Sequence, residues 1–121
     1  MPQFSPTPFH YHAIVTAVYD GDTCTVDIDL GLGVWLRGEK LRLYRINAPE
    51  LRGSERERGI ISRDRLRQLI LGKEILLETI KDRRGKYGRY LGEVWLVSGD
   101  GNCRNINDQL VLEGVAEYRT Y

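Results

Sequence analysis

The chain has 121 residues, 41% hydrophobic and 29% charged, which suits one globular domain able to bury a core without disulfide or metal staples. No apolar run reaches transmembrane length, and the formal net charge of +1 leaves no global basic field to gather polyanions. Cys24 and Cys103 make no disulfide framework and fit no zinc spacing, so both are expected to be reduced and buried.

Residues 1–9, with Pro2, Pro6 and Pro8, read as a loose arm before a single domain over 10–121. Met1 to His12 carries neither a basic n-region nor an apolar h-region, so a signal peptide is not expected. As it stands the chain is expected in the cytoplasm, or outside the cell if a leader has been removed. Tyr11 to Tyr19 predicts a first strand through its β-branched Ile14, Val15 and Thr16. His10 and His12 alternate at its start, but nothing nearby has matching metal-ligand spacing. Asp20-Gly21 is a tight-turn signal. Thr23 to Leu30 then alternates, with Thr23, Thr25, Asp27 and Asp29 on one face. Gly31 to Gly38 reads as a Gly-rich loop carrying Trp35, whose ring suits hydrophobic anchoring more than base stacking. Lys40 to Ile46 predicts a third strand with Leu41, Leu43 and the stem of Arg45 on one side, Arg42 and Tyr44 on the other. Pro49 ends it.

Ser54 followed by Glu57 has the form of a capping box. A helix is expected from there to about Leu71, closed by Gly72, with Gly59, Ser62, Leu66, Leu69 and Ile70 as its inner stripe. Lys73 to Ile80 and Arg89 to Val97 predict strands four and five. Asn105 caps a short helix ending at Gly114, with Ile106, Leu110 and Val111 inside. The order β-β-β-α-β-β-α makes the chain mainly β (α+β): a five-stranded OB-fold Greek-key barrel with one helix between strands 3 and 4 and one short C-terminal helix. Such barrels bind nucleic acids, sugars and proteins alike, so the fold alone does not fix function.

The charges are unevenly spread. Asp20, Asp22, Asp27 and Asp29 fall in a stretch free of Lys and Arg, whereas Lys81, Arg83, Arg84, Lys86 and Arg89 face only Asp82. An acidic cluster beside a basic loop is what a site for both a divalent cation and a phosphate needs. Three islands stand out: Asp20-Gly21-Asp22-Thr23 at a turn, Arg42 through Glu50 across a strand end, and Lys86-Tyr87-Gly88-Arg89 opening strand five.

In order and spacing these islands resemble the staphylococcal nuclease (thermonuclease) family over about residues 13 to 116. The resemblance implies a calcium-dependent nuclease hydrolysing DNA and RNA, preferring single strands and leaving 3′-phosphate and 5′-hydroxyl ends. It implies Asp22, Asn47 and the backbone carbonyl of Ala48 as ligands of Ca²⁺, though another divalent cation could serve. It also implies Arg42 and Arg89 on the phosphate, Glu50 as the residue activating water, and Lys86 and Tyr87 as substrate contacts. Guanidinium forks suit phosphate because they are permanently charged and bind two oxygens at once. Oxygen donors suit a hard cation. The expected partners are DNA and RNA, with no membrane, and the expected state is a monomer. The alternative is an OB-fold module that binds nucleic acid with weak or no catalysis, although such modules typically lose the arginines and the glutamate retained here.

Two departures from the family pattern matter. Asn47 stands where most members have an aspartate, which removes one charge from the cation site. The family has two tyrosines shortly after the Gly114-Val115-Ala116 match that pack around the substrate phosphate, where this sequence reads Tyr118-Arg119-Thr120-Tyr121, and no counterpart of the family's third helix is expected in the sequence as it stands. The loop after Glu50 is also shorter than in the type member.

Overall fold

The computed structural model describes residues 9–84 and 88–119, and for 81–84 the backbone alone. The elements run β1 (Phe9–Asp20), β2 (Thr23–Gly31), β3 (Val34–Leu43), β4 (Ile46–Asn47), a 3₁₀ turn (Gly53–Glu55), α1 (Arg56–Ile70), β5 (Glu74–Arg84), β6 (Tyr90–Val97), β7 (Cys103–Asn105), α2 (Ile106–Leu112) and β8 (Glu117–Tyr118). β1 pairs antiparallel with both β2 and β5, β2 with β3, and β5 with β6. A parallel pairing of Leu41–Leu43 with Tyr90–Gly92 joins β3 to β6 and closes five strands into a barrel. The expected OB-type barrel is therefore the fold, with α1 between its third and fourth strands.

Inward residues of the strands make the core, among them Val15, Val26, Leu41, Leu43, Leu77 and Val94, all fully buried. α1 adds Leu66, Leu69 and Ile70, and α2 adds Ile106 and Leu110. The inner stripe of α1 is the predicted one, Gly59, Ser62, Leu66, Leu69 and Ile70. Gly72 follows it with φ +74°, as a helix-ending glycine should. Asn105 caps α2 by accepting from the Asp108 amide at 2.8 Å. Fully buried Asn107 is satisfied on both sides of its amide: it donates to the Tyr44 and Gly92 carbonyls and accepts from Val94. That side chain ties α2 to the strands where the barrel closes.

Several local expectations are corrected. The expected loop over Gly31–Gly38 is a tight hairpin: Gly31 pairs with Val34 and Asp29 with Trp35, so Trp35 lies on β3. The Arg37 guanidinium sits 4.8 Å from the Trp35 ring centre. The capping box does not form. A 3₁₀ turn precedes α1, and Glu55 stands at the N-cap with no side-chain capping bond. β3 stops at Leu43, because Arg45 takes a left-handed φ of +69° and leaves the strand. Its guanidinium holds Glu93 at 2.7 Å and Asp108 at 2.9 Å, so its stem does not line the core beside Leu41 and Leu43. Both cysteines are free, but Cys103 is exposed at the short edge strand β7; Cys24 is buried as expected. His10 and His12 face Glu78 and Glu74 across the β1–β5 pair. No described helix is long and apolar enough to cross a membrane.

Candidate active site

The site begins at the β1–β2 turn. The Asp20 carboxylate accepts from the Asp22 amide at 3.0 Å, which holds the turn and points the Asp22 side chain inward. Asp22 is buried, and its two oxygens divide their partners. Oδ2 takes the Ala48 amide at 2.8 Å and the Arg42 guanidinium at 3.2 Å, while Oδ1 takes the Thr23 hydroxyl at 3.1 Å. Arg42 comes from β3, where it pairs in register with Thr23, and Leu43 donates to the Asp22 carbonyl. The other arm of its guanidinium donates to Asn47 Oδ1 at 3.3 Å. Thus one cation bridges Asp22 and Asn47, two of the residues the sequence singled out as cation ligands. Burial first, and the neighbouring Asp22 carboxylate second, push the Asp20 carboxyl up to about 6.

The Asn47–Glu50 segment is held against α1 by missing side chains. A Cβ on Gly59 would lie 2.3 Å from the Glu50 carbonyl oxygen, so only glycine lets the helix approach this backbone. Gly21 plays the same part on the turn, where a Cβ would meet Ser62 Oγ and Ala48 Cβ. The Ser62 hydroxyl is buried with no hydrogen-bond partner among the described residues. The turn, the β4 segment and α1 thus meet in one tight contact.

Glu50 is placed beside this cluster but does not join its hydrogen bonds. Its carboxylate pairs with Arg52 at 3.2 Å, and both side chains are largely exposed. Such an exposed pair contributes about 0–1 kcal/mol, so it is readily exchanged for another partner. Arg89 lines a cleft of about 260 Å³ with Tyr19, Asp20, Thr23, Thr25 and Lys40. This brings the third island, entering β6, alongside the first. Lys86 and Tyr87 lie outside the described residues. Ala48 enters through its amide, donated to Asp22.

Sequence reasoning missed Thr23 as a partner of Asp22, Gly59 as the seat of the Glu50 backbone, and Tyr19 and Lys40 as walls of the cleft. The alternation of Thr23 and Thr25 was a signal for one shared face. No sequence signal marks Gly59, because a glycine in a helical stripe reads as a small core residue.

Chemically, the arrangement gathers oxygen donors and arginines at one place. Asp22 and Asn47 offer a carboxylate and an amide oxygen that share Arg42, with the Asp20 carboxylate at the same turn, and oxygen donors of this kind suit a hard divalent cation. Arg42 now offsets part of that negative charge. Among the described residues no three His, Cys, Asp or Glu side chains converge, so a cation would depend on amide and backbone oxygens as well as on carboxylates.

Fold and site define an OB-barrel domain with a buried aspartate–arginine pair beside an arginine-walled cleft. The chain belongs to the family described as staphylococcal nuclease homologue, whose model matches residues 40–121. Comparison with curated proteins gives no match. The matched stretch contains Arg42, Asn47, Ala48, Glu50 and Arg89. Asp22 precedes it and is tied to it by the contacts to Arg42 and Ala48. Family membership marks the chain as a nuclease-like or nucleic-acid-binding module.

Proposed function

We propose that the chain is a calcium-dependent nuclease that hydrolyses DNA and RNA, prefers single strands and leaves 3′-phosphate and 5′-hydroxyl ends, acting as a monomer. The observation that carries the reading is the meeting of Asp22, Arg42 and Asn47 beside a cleft walled by Arg89 and Asp20. Asp22, Asn47 and the Ala48 carbonyl would hold the cation, with Asp20 adding charge nearby. When bound, a hard cation supplies charge that offsets the anionic phosphate. Arg42 and Arg89 bind phosphate oxygens and offset the charge that grows as the phosphorus is attacked. Glu50, released from Arg52, orients a water molecule and accepts its proton. Lys86 and Tyr87 contact the neighbouring part of the substrate.

Purified protein should degrade denatured DNA with millimolar Ca²⁺, stop with chelator, and yield ends that a 3′-phosphatase can trim. Digestion that persists in chelator, or none with any divalent cation, defeats the proposal. One observation favours the alternative, a module that binds nucleic acid with weak or no catalysis. Arg42 already bridges Asp22 and Asn47, and Glu50 faces Arg52. Glu50→Gln separates the readings. A nuclease loses roughly 10²–10⁴-fold in turnover and still binds single strands, whereas a binding module changes in neither respect.

A further inference from the structure

We propose that the cleft walled by Tyr19, Thr25, Lys40 and Arg89 is a separate nucleotide subsite, which stacks a base of a single strand on Tyr19 and holds its phosphate with Lys40, next to the bond held at Asp22 and Arg42. It rests on the reading of the chain as a nucleic-acid module, and adds where the strand continues beyond the reacting phosphate.

The backbone provides the first observation. Along β1, Val18 pairs with Cys24 and Asp20 with Thr23, so Tyr19 is an extra residue with no partner of its own in the ladder. A bulge of this kind re-aims the side chain it carries. Here it leaves Tyr19 70% exposed and on the wall of the cleft, outside the core. An exposed tyrosine ring is a stacking surface for any base, since every base has a π-face.

The second observation is charge and continuity. Lys40 pairs in register with Thr25, and Arg42 with Thr23, so the period of two puts both cations on one face of β3. Lys40 is exposed there, and Arg89 shares the same wall. The cleft runs into the candidate active site through Asp20 and Thr23, whose carboxylate and hydroxyl position Asp22. At about 260 Å³ it is somewhat smaller than the roughly 300–1,000 Å³ of a drug-sized ligand site, which matches one base. A strand crossing the reaction centre would place its next base against Tyr19 and its next phosphate against Lys40.

The probe is a fluorescently labelled oligothymidylate of about ten nucleotides, followed by anisotropy in chelator. Tyr19→Ala should weaken binding by roughly 5- to 100-fold, the loss expected for one stacked base, and Tyr19→Trp should restore it. Lys40→Gln should weaken binding less and flatten the dependence of log affinity on log salt by about 0.7, one phosphate contact on a single strand. Both positions are exposed, and an unchanged melting temperature verifies the fold of each variant. In the cleavage assay, Tyr19→Ala should lose more kcat/KM on the oligomer than on methyl 4-nitrophenyl phosphate, a diester that carries no base. Equal affinities of wild type and Tyr19→Ala, a loss that Tyr19→Trp fails to restore, or equal losses on both substrates would overturn the subsite. Protein that binds the oligomer through Tyr19 yet cleaves nothing in Ca²⁺ keeps the subsite and defeats the hydrolytic proposal. Protein that cleaves while indifferent to Tyr19 does the reverse.

Discussion

Asn47 puts one neutral side-chain oxygen against the guanidinium that also holds Asp22. The sequence presents it as a neutral oxygen in a place suited to a charged one. In the structure that oxygen accepts from Arg42 at 3.3 Å, and the same guanidinium holds Asp22. An aspartate has nearly the same shape, so Asn47→Asp alters charge with little repacking. The new carboxylate would be partly offset by Arg42, which limits the repulsion it adds beside Asp20 and Asp22. As a cation ligand it would still add one full charge, and affinity in oxygen sites is tuned by charged-ligand count. We expect Ca²⁺ to bind Asn47→Asp about 5- to 30-fold more tightly than wild type, a gain on the order of 1–2 kcal/mol. Isothermal titration of Ca²⁺ into both proteins measures this directly. Equal affinities would remove Asn47 from the ligand set and leave it as a hydrogen-bond partner of Arg42.

At the scale of elements, α1 was legible because its stripe repeats over four turns and ends in a glycine with the expected positive φ. β4 and β8 were not, because two-residue strands carry no period to read; their pairing of Ile46 with Tyr118 and Asn47 with Glu117 is a tertiary event. The left-handed turn at Arg45 was hidden for the same reason, since the residues that reward it, Glu93 and Asp108, are far away in sequence. The site residues were legible as a set of types, but their pairing was not, because Arg42 finds Asp22 only once β2 and β3 are in register. Gly59 tests the contact between α1 and the Asn47–Glu50 segment. In an exposed helix interior, Gly→Ala gains up to about 1 kcal/mol. Here the added Cβ would be 2.3 Å from the Glu50 oxygen, and the strain of overpacking, typically about 1–3 kcal/mol, should win. Gly59→Ala should therefore melt lower than wild type and turn over more slowly, as Glu50 is displaced. A higher melting temperature would show that the helix does not press on this backbone. The contact between the two helices can be read from pH. Hydrogen bonds from Arg65 first and Gln109 second hold the Glu113 carboxyl well below its usual 4.5, at about 2. A depressed folded value means the unfolded chain takes up this proton first. The stabilisation is therefore complete above about 4.5 and is lost as the pH falls toward about 2. Denaturation of wild type and Arg65→Gln should differ at neutral pH and converge near the acid end of that window. A difference that persists unchanged there would mean the pair contributes through packing alone.

Across the whole molecule, charge decides how the domain meets a polyanion. With Lys and Arg at 18 and Asp and Glu at 17, attraction at long range nearly cancels. Binding must then come from cations at the site itself, and their number can be counted through counterion release. Arg42 is buried against Asp22 and already partly neutralised, so it adds little to this count. Arg89 and Lys40 line the cleft, and Lys86 stands three residues before Arg89 in the chain. Three phosphate contacts on a single strand correspond to a slope of about −2 in log affinity against log salt. If the whole basic segment from Lys81 to Arg89 ran along the strand with Lys40, the slope would approach −4. The near-neutral balance favours the shallower value, because few uncompensated cations are left to hold a strand beyond the cleft. Titration of a labelled single strand into the protein at several salt concentrations, in chelator, gives the slope. A value near −4 would mean that the basic segment is the main binding surface and the cleft a minor part of it. A value near zero would mean that affinity comes from stacking without phosphate contacts, and would leave Arg89 and Lys40 without the role assigned to them.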